Sequence, residues 1–165
     1  MESESKLLIK NIYKIFGDRP EAALKLVTDG INKQTLLEQH NHVLALNNIN
    51  LEVSTGKFQV VMGLSGSGKS TLIRHVNRLI EPTAGSIFFH GDDVTNLDEK
   101  QLRQFRRFKT SMVFQNFALL PWLTVLQNVE LGLEAVERHA DIRREKALKA
   151  IDETTFYPNK GKERL

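Results

Sequence analysis

The chain has 165 residues, of which 41% are hydrophobic and 26% charged, and its 23 Lys and Arg against 20 Asp and Glu give a formal charge of +3. This apolar content is sufficient for one domain with a buried core, and it excludes a disordered composition. The small positive charge does not by itself indicate a nucleic-acid partner, and the absence of cysteine excludes disulfide and thiolate chemistry. No stretch approaches the roughly 20 apolar residues that span a bilayer, and the polar start does not resemble a signal peptide, so we expect a cytoplasmic location.

The first third of the sequence predicts two strands separated by helices. Apolar residues over positions 7–16 and an alternating pattern over positions 43–53 indicate strands of an antiparallel pair or hairpin. Between them, Pro20 suits the first turn of a helix, and a second short helix is predicted over residues 33–39. Residues 18–42 are therefore expected to form a helical insert.

A glycine-rich loop follows these strands. Residues 63–70 match G-x-x-x-x-G-K-[ST], come directly after an apolar run of strand length at residues 58–62, and precede a helical pattern that ends at Glu81-Pro82. Such a loop turns its backbone N–H groups toward an anion, while Lys69 would reach the β- and γ-phosphates and the Ser70 hydroxyl would ligate Mg²⁺. The predicted phosphate-binding residues are Gly63, Ser65, Gly66, Ser67, Gly68, Lys69, Ser70 and Thr71.

A glycine-rich segment of this kind has two alternative interpretations. A dinucleotide-binding fingerprint is excluded, because the glycines are in the wrong order and the motif ends in Lys-Ser. A glycine-rich turn without a ligand remains the simpler alternative. The strand, loop and helix order around the motif favours nucleotide binding.

Further elements are predicted downstream. A strand at residues 85–89 leads into a turn at residues 91–93, and a second strand is predicted over residues 111–114. Capping boxes at Asp98 with Gln101 and at Thr124 with Gln127 indicate the starts of two helices, and a charged helix is predicted over residues 141–151. The first of these helices carries three arginines that suit either a solvated face or an anion-binding surface: Arg103, Arg106 and Arg107.

Residues 112–125 resemble the Q-loop region of ABC-transporter ATPase subunits, whereas the N-K-x-D motif of a GTPase is absent. Within that family the chain is most similar to the ATP-binding subunit of quaternary-amine importers of the glycine betaine/proline type. The resemblance covers residues 7–151, and the predicted insert supports it. Its matching stretches are residues 11–17, 62–72, 77–83 and 112–125.

The resemblance implies an α/β P-loop NTPase fold. Its parts would be an N-terminal antiparallel β-subdomain, a phosphate-loop strand and helix, and the start of a helical subdomain, which residues 116–151 would form. It implies ATP and Mg²⁺ as cofactors. Phe16 would stack on adenine, with Tyr13 as the second choice, or Phe16 packs in the core. Gln115 would contact Mg²⁺ and the attacking water.

The resemblance also implies partners. The apolar residues 117–122, Phe117 to Trp122, would meet a transmembrane permease subunit, or else pack under the protein's own helices. A second ATP-binding subunit would complete the assembly, which would lie peripherally on the inner face of the cell membrane. A nucleic-acid partner, which would use the three arginines, is not expected.

The end of the sequence departs from this family. An L-S-G-G-Q-like signature, a strand ending in Asp-Glu and a switch histidine are absent, and residues 152–165 diverge. We expect a single truncated ATP-binding domain that binds nucleotide without turnover, because no carboxylate would orient water. The alternative is a non-catalytic remnant or decoy with little nucleotide binding. Residues 58–62 would leave an exposed apolar edge, so weak folding and aggregation are expected for this chain alone.

Overall fold

The computed structural model describes residues 5–115 and 118–154 and divides the chain into two compact units, residues 1–106 and 107–165. The strands predicted over residues 7–16 and 43–53 are present, with the insert helices between them. The elements are β1 Ser5–Phe16, α1 Pro20–Thr28, α2 Lys33–His40, β2 Val43–Ser54, α3 Lys69–Val76, β3 Ala84–Phe89, β4 Asp92–Asp93, a 3₁₀ turn at Val94–Asn96, α4 Glu99–Phe108, α5 Val125–Glu134 and α6 Ala140–Thr154.

The described strands form one antiparallel sheet in the order β2-β1-β3-β4. Strand β1 lies between β2 and β3 and carries a bulge at Asn11, whose φ is +50°. The Asn11 backbone N–H donates to Oδ1 of Asn50, and its side-chain amide donates to Oδ1 of Asn48, both at 2.9 Å. Asparagine tolerates this left-handed conformation better than most residues, which explains why the bulge is built from it.

Two apolar clusters stabilise the first unit. The insert helices α1 and α2 cover one end of the sheet through Ile15, Ala23, Val27, Leu36 and Leu44. Helices α3 and α4 supply Leu72, Leu102 and Phe105 to the larger cluster, whose other members are Ile9, Ile12, Leu46, Ile87 and Val94. Helix α3, which begins at the glycine-rich loop, is therefore anchored in the main core.

The predicted strand at residues 58–62 is wrong. In the described structure this segment is not a strand, and it projects Phe58, Val60 and Met62 with exposed fractions of 99%, 69% and 86%. A strand needs a neighbour that supplies a hydrogen-bonded ladder. The described residues contain no segment that pairs with this one.

Three smaller predictions also need correction. Residues 111–114 do not form a strand. Helix α3 ends at Val76, well before Glu81-Pro82, and a turn with Arg78 at φ +51° follows. The turn predicted at residues 91–93 is shorter than expected, because Asp92–Asp93 form β4, which pairs with Phe88 and Phe89. Both capping boxes are confirmed, with reciprocal side-chain to backbone hydrogen bonds at each.

The second unit contains α5 and α6. They pack through Leu126, Ala147 and Ile151. The loop between the helices is fixed by Glu137, which accepts from the His139 backbone N–H at 3.2 Å and from Lys146 at 3.1 Å. The bond from the backbone N–H of His139, followed by the one from Lys146, lowers the pKa of the Glu137 carboxyl. In the described part of the chain, no helix is both long and apolar enough to cross a membrane.

Arg78 stabilises the turn after α3. Its Nη1 donates to the carbonyl oxygens of Val94 at 3.0 Å and Leu97 at 2.7 Å, and its side chain pairs with Glu81 at 2.9 Å. Because Arg78→Met leaves those carbonyls without a charged donor, we expect the free energy of unfolding to fall by about 2–3 kcal/mol. Urea unfolding measures this, and Arg74→Met on the exposed face of α3 should change it by less than about 0.5 kcal/mol. Equal effects of the two substitutions would contradict the role of Arg78.

Candidate nucleotide site

The glycine-rich loop contacts the start of β2, at Ala45, where it leads into α3. Residues 63–67 are exposed, and Gly68 lies at the start of the helix with φ +92°. A Cβ at Gly68 would come within 2.6 Å of the Ala45 carbonyl oxygen. Both the left-handed backbone and this close approach require glycine. The requirement for glycine at Gly68 therefore fixes the point at which the loop contacts β2.

Lys69 folds back over the loop. Its Nζ donates to the carbonyl oxygens of Gly63 at 2.7 Å and Leu64 at 2.5 Å and to Ser67 Oγ at 3.2 Å. These partners are neutral, and the described residues place no carboxylate against the ammonium group. Together with the free N–H groups at the start of α3, the uncompensated cation makes this a suitable place for a polyphosphate. Ser70 is exposed in the first turn of the helix.

Phe16 lies at the end of β1 near the same part of β2. It pairs with Val43, two residues from Ala45, which Gly68 touches. Two residues of a strand span about 7 Å, and paired strands lie about 5 Å apart. The separation between Phe16 and the loop is therefore of the order of a nucleotide's length. The ring is 42% exposed, so it is not a core residue, whereas Tyr13 packs against the insert cluster.

The segment after α3 is fastened to the strand end that bears Phe16. Lys14 Nζ donates to the Glu81 carbonyl oxygen at 2.8 Å and lies 5.0 Å from the centroid of the Phe16 ring. The Thr83 backbone N–H donates to the Tyr13 carbonyl at 2.8 Å, and Thr83 Oγ1 accepts from the Ile15 N–H at 3.0 Å. These bonds tie the segment that follows the phosphate-loop helix to β1.

The remaining predicted site residues lie in the second unit. Gln115 is exposed in a turn, and its neighbours Asn116 and Phe117 fall outside the described residues. Of the predicted permease-contacting residues, Leu119 and Trp122 are 47% and 66% exposed. The loop that carries them is held by Asn128, which accepts from the Leu120 N–H at 2.8 Å and donates to the Leu120 carbonyl at 3.1 Å.

The three arginines of α4 do not form one free cationic face. Arg106 donates to the carbonyl oxygens of Asn77, at 2.8 Å, and Arg78, so it caps the turn that follows α3. Arg107 lies over the ring of Phe108. Arg103 is exposed. The structure therefore places one of the three in a stabilising role that the sequence did not reveal.

His75 is a buried titratable group on the phosphate-loop helix. Its Nδ1–H donates to the Thr71 carbonyl at 2.7 Å, and its Nε2 has no partner among the described residues. Burial lowers the pKa of His75 below its ordinary value of 6.5, against the smaller opposing effect of the Thr71 carbonyl. The ring is therefore neutral at neutral pH, and it ties the first and last turns of α3 together.

This burial predicts a pH dependence of stability. The unfolded chain takes up a proton at His75 more readily than the folded chain, so this contribution is complete above pH 6.5 and is lost as the pH falls below it. We expect His75→Gln to reduce the loss of unfolding free energy between about pH 7.5 and 5.5, measured by urea titration. The control His139→Gln should leave that loss unchanged. If the wild-type chain and His75→Gln lose the same unfolding free energy over this pH range, His75 is not the group responsible for the pH dependence.

Helices packed on an antiparallel sheet, with a glycine-rich loop running into one of them, define an α/β domain. The chain belongs to the ABC transporter family, whose family model matches residues 46–164. A solved dimeric structure of MJ0796, a bacterial ABC transporter cassette, superposes with a TM-score of 0.69 at 33% identity, over 88% of this chain and 56% of that one. A second MJ0796 structure, a post-hydrolysis state bound to ADP and Pi, gives 0.68 at the same identity.

The sequence relatives include ATP-binding proteins of betaine transport systems. The chain is 47% identical over 146 residues to the glycine betaine/proline betaine transport system ATP-binding protein ProV of Escherichia coli (strain K12), covering 88% of this chain. It is 45% identical over 150 residues to the glycine betaine transport ATP-binding protein OpuAA of Bacillus subtilis (strain 168), covering 91%. The chain spans 36% of the length of each. The predicted family resemblance is thus confirmed.

Proposed function

We propose that the loop at residues 63–70 binds the phosphates of ATP with Mg²⁺, and that Phe16 stacks on the adenine. The observation that carries the proposal is that the start of β2 contacts both parts of the site. Gly68 lies against Ala45, and Phe16 pairs with Val43, two residues away. A purine on the Phe16 ring would leave its phosphates directed toward the start of α3. An aromatic that packs in the core would not be 42% exposed there.

In this proposal each polar group has a defined task. Backbone N–H groups around Gly66 and Gly68 donate to phosphate oxygens, and Lys69 exchanges its neutral loop partners for the β- and γ-phosphates. The Ser70 hydroxyl would hold Mg²⁺, and a contact of Gln115 with the metal and the water stays an expectation that the family resemblance implies. Mg²⁺ supplies charge neutralisation of the phosphates when it is bound.

We further propose that the chain is the ATP-binding part of an importer for glycine betaine-type solutes. The support is its likeness to the ATP-binding proteins of betaine transport systems in two bacteria. Exposed Trp122 and Leu119 would contact a transmembrane permease subunit, and this contact would hold the chain at the inner face of the membrane. A second ATP-binding subunit would associate with it.

The adenine contact is tested by comparing two ligands that share their phosphates. Phe16→Ala should weaken binding of Mg·ATP about 10- to 100-fold, because base stacking on an aromatic contributes about 1–3 kcal/mol. Binding of inorganic triphosphate should not change, since it has no base. Calorimetric titration of both ligands measures this.

Phe16→Tyr keeps the ring and should retain ATP affinity, and Phe108→Ala removes another exposed ring as the matched control. An unchanged affinity for ATP in Phe16→Ala would overturn the assignment of Phe16. If Tyr13→Ala then weakened ATP binding, the adenine contact would belong to Tyr13.

A further inference from the structure

The ammonium group of Lys14 joins the ring of Phe16 to the segment that follows α3. Its Nζ lies 5.0 Å from the centroid of the Phe16 ring and donates to the Glu81 carbonyl oxygen at 2.8 Å. A cation within about 6 Å of a ring centroid is attracted to the face of that ring. One side chain therefore contacts both the ring and the chain that leads away from the phosphate-loop helix.

The carbonyl that accepts from Lys14 belongs to a segment held on both sides. The side chain of Glu81 pairs with Arg78 at 2.9 Å. Two residues after Glu81, the backbone N–H of Thr83 donates to the Tyr13 carbonyl at 2.8 Å. Because the segment is fixed at these two points, its carbonyl gives the ammonium group a defined position. Lys14 is also half-buried, which restricts its side chain further.

No carboxylate neutralises this ammonium group. Among the ion pairs of the described residues, none includes Lys14, and the group of Glu81 that it contacts is a neutral carbonyl. An ammonium group offers three N–H donors and no acceptor. Its charge is therefore directed at a carbonyl dipole and at the electron-rich face of the Phe16 ring.

The ammonium group leaves one face of the Phe16 ring for another partner. A planar ring has two faces, and a base cannot stack on the face that a cation already covers. The ring is nevertheless 42% exposed, so it still presents surface to solvent. Stacking of a base on this ring therefore requires the face opposite Lys14.

The same stretch of β1 lies across from the contact point of the phosphate loop. Between the partners of Lys14 and of the residue after it, β2 contains one extra residue, Ala45, which forms a β-bulge. The carbonyl of Ala45 is the group that Gly68 approaches. The Phe16 ring, the cation beside it and the loop are thus positioned by one short part of the sheet.

We propose that Lys14 is a positioning residue for the base of the nucleotide. Its ammonium group covers one face of the Phe16 ring, fixes that ring to the segment after α3, and leaves the opposite face for adenine. This role rests on the proposed nucleotide site and defines which face of Phe16 that site uses. Lys14 makes no contact with the phosphates in this arrangement.

The experiment compares the affinities of Mg·ATP and of inorganic triphosphate with Mg²⁺ by calorimetric titration. Lys14→Met keeps a long side chain and removes the cation. It should weaken Mg·ATP binding about three- to tenfold, because the ring loses the contact that fixes it, and it should change triphosphate binding by less than about twofold. Lys14→Arg retains a cation and an N–H donor, and it should restore ATP affinity to within about twofold of the wild type.

Lys10→Met is the matched control. Lys10 lies on the same strand, and its Nζ is 5.4 Å from the centroid of a different ring, that of Phe88. The control removes the same charge and the same kind of contact, so both affinities should stay at their wild-type values. If Lys14→Met binds ATP as the wild type does, or weakens both ligands equally, Lys14 does not position the base.

A second measurement uses the wild-type chain alone. In chain labelled with ¹³C-lysine, the ring current of Phe16 should shift the ε-methylene protons of Lys14 upfield, and this shift should persist when Mg·ATP saturates the chain. Loss of the shift on ATP binding would mean that the base takes the face that Lys14 covers, which would overturn the proposal. Failure of the wild-type chain to bind either ligand would instead contradict the proposed nucleotide site itself.

Discussion

Lys69→Ala is expected to weaken binding of Mg·ATP by at least about 100-fold. The ammonium group is held within hydrogen-bond distance of Gly63, Leu64 and Ser67, so it is already positioned over the loop that would enclose the phosphates. Removing it leaves phosphate charge without its cation, and hydrogen bonds between charged groups contribute about 1.5–3 kcal/mol each. Titration with a fluorescent ATP analogue measures the change.

Two controls separate this effect from a general loss of charge. Lys57→Ala removes one positive charge from an exposed residue on the same unit and should leave the affinity unchanged. Lys69→Arg keeps the charge and should recover part of the binding. If Lys69→Ala binds ATP as the wild type does, the remnant or decoy interpretation is preferred over the nucleotide site.

The second large effect concerns self-association through the exposed segment at residues 58–62. Phe58 and Val60 are 99% and 69% exposed, and the backbone around them is not part of a sheet. Exposed apolar segments with free backbone groups pair with other chains. We expect Phe58→Lys with Val60→Lys to raise the concentration at which the 165-residue chain aggregates by on the order of tenfold. Light scattering during concentration measures this.

A control for this experiment keeps the added charge and changes its place. Leu37→Lys with Leu148→Lys adds two lysines at apolar residues that are 49% and 40% exposed on helices. It should leave the aggregation concentration close to that of the wild type. If the wild-type chain elutes as a monomer at all concentrations and unfolds in one transition with a high midpoint, the exposed segment does not have the expected effect.

Local sequence patterns predicted the elements whose formation depends on local chemistry. The apolar periodicity of α1 and β2, the two capping boxes and the glycine spacing of residues 63–70 each specify a conformation through residues close in sequence. A strand is different, because it needs a partner that no local pattern supplies. For that reason the apolar runs at residues 58–62 and 111–114 were wrongly predicted to be strands.

Two arginines that stabilise the turn after α3 were not predicted from the sequence. Arg78 and Arg106 contact backbone carbonyl groups that are distant in sequence. Sequence gives no signal for such contacts, since any arginine or asparagine on a helix face has the same local pattern. Gly68 was a partial signal, because a glycine in or beside a strand often marks a close approach of another backbone.

The most direct test of the nucleotide site is titration of the purified wild-type chain with a fluorescent ATP analogue, with and without Mg²⁺. We expect a saturable response that is stronger with Mg²⁺ and is displaced by unlabelled ATP. Circular dichroism on the same sample would verify that the chain is folded. A folded sample with no saturable response at any Mg²⁺ concentration would contradict the claim that residues 63–71 enclose a polyphosphate.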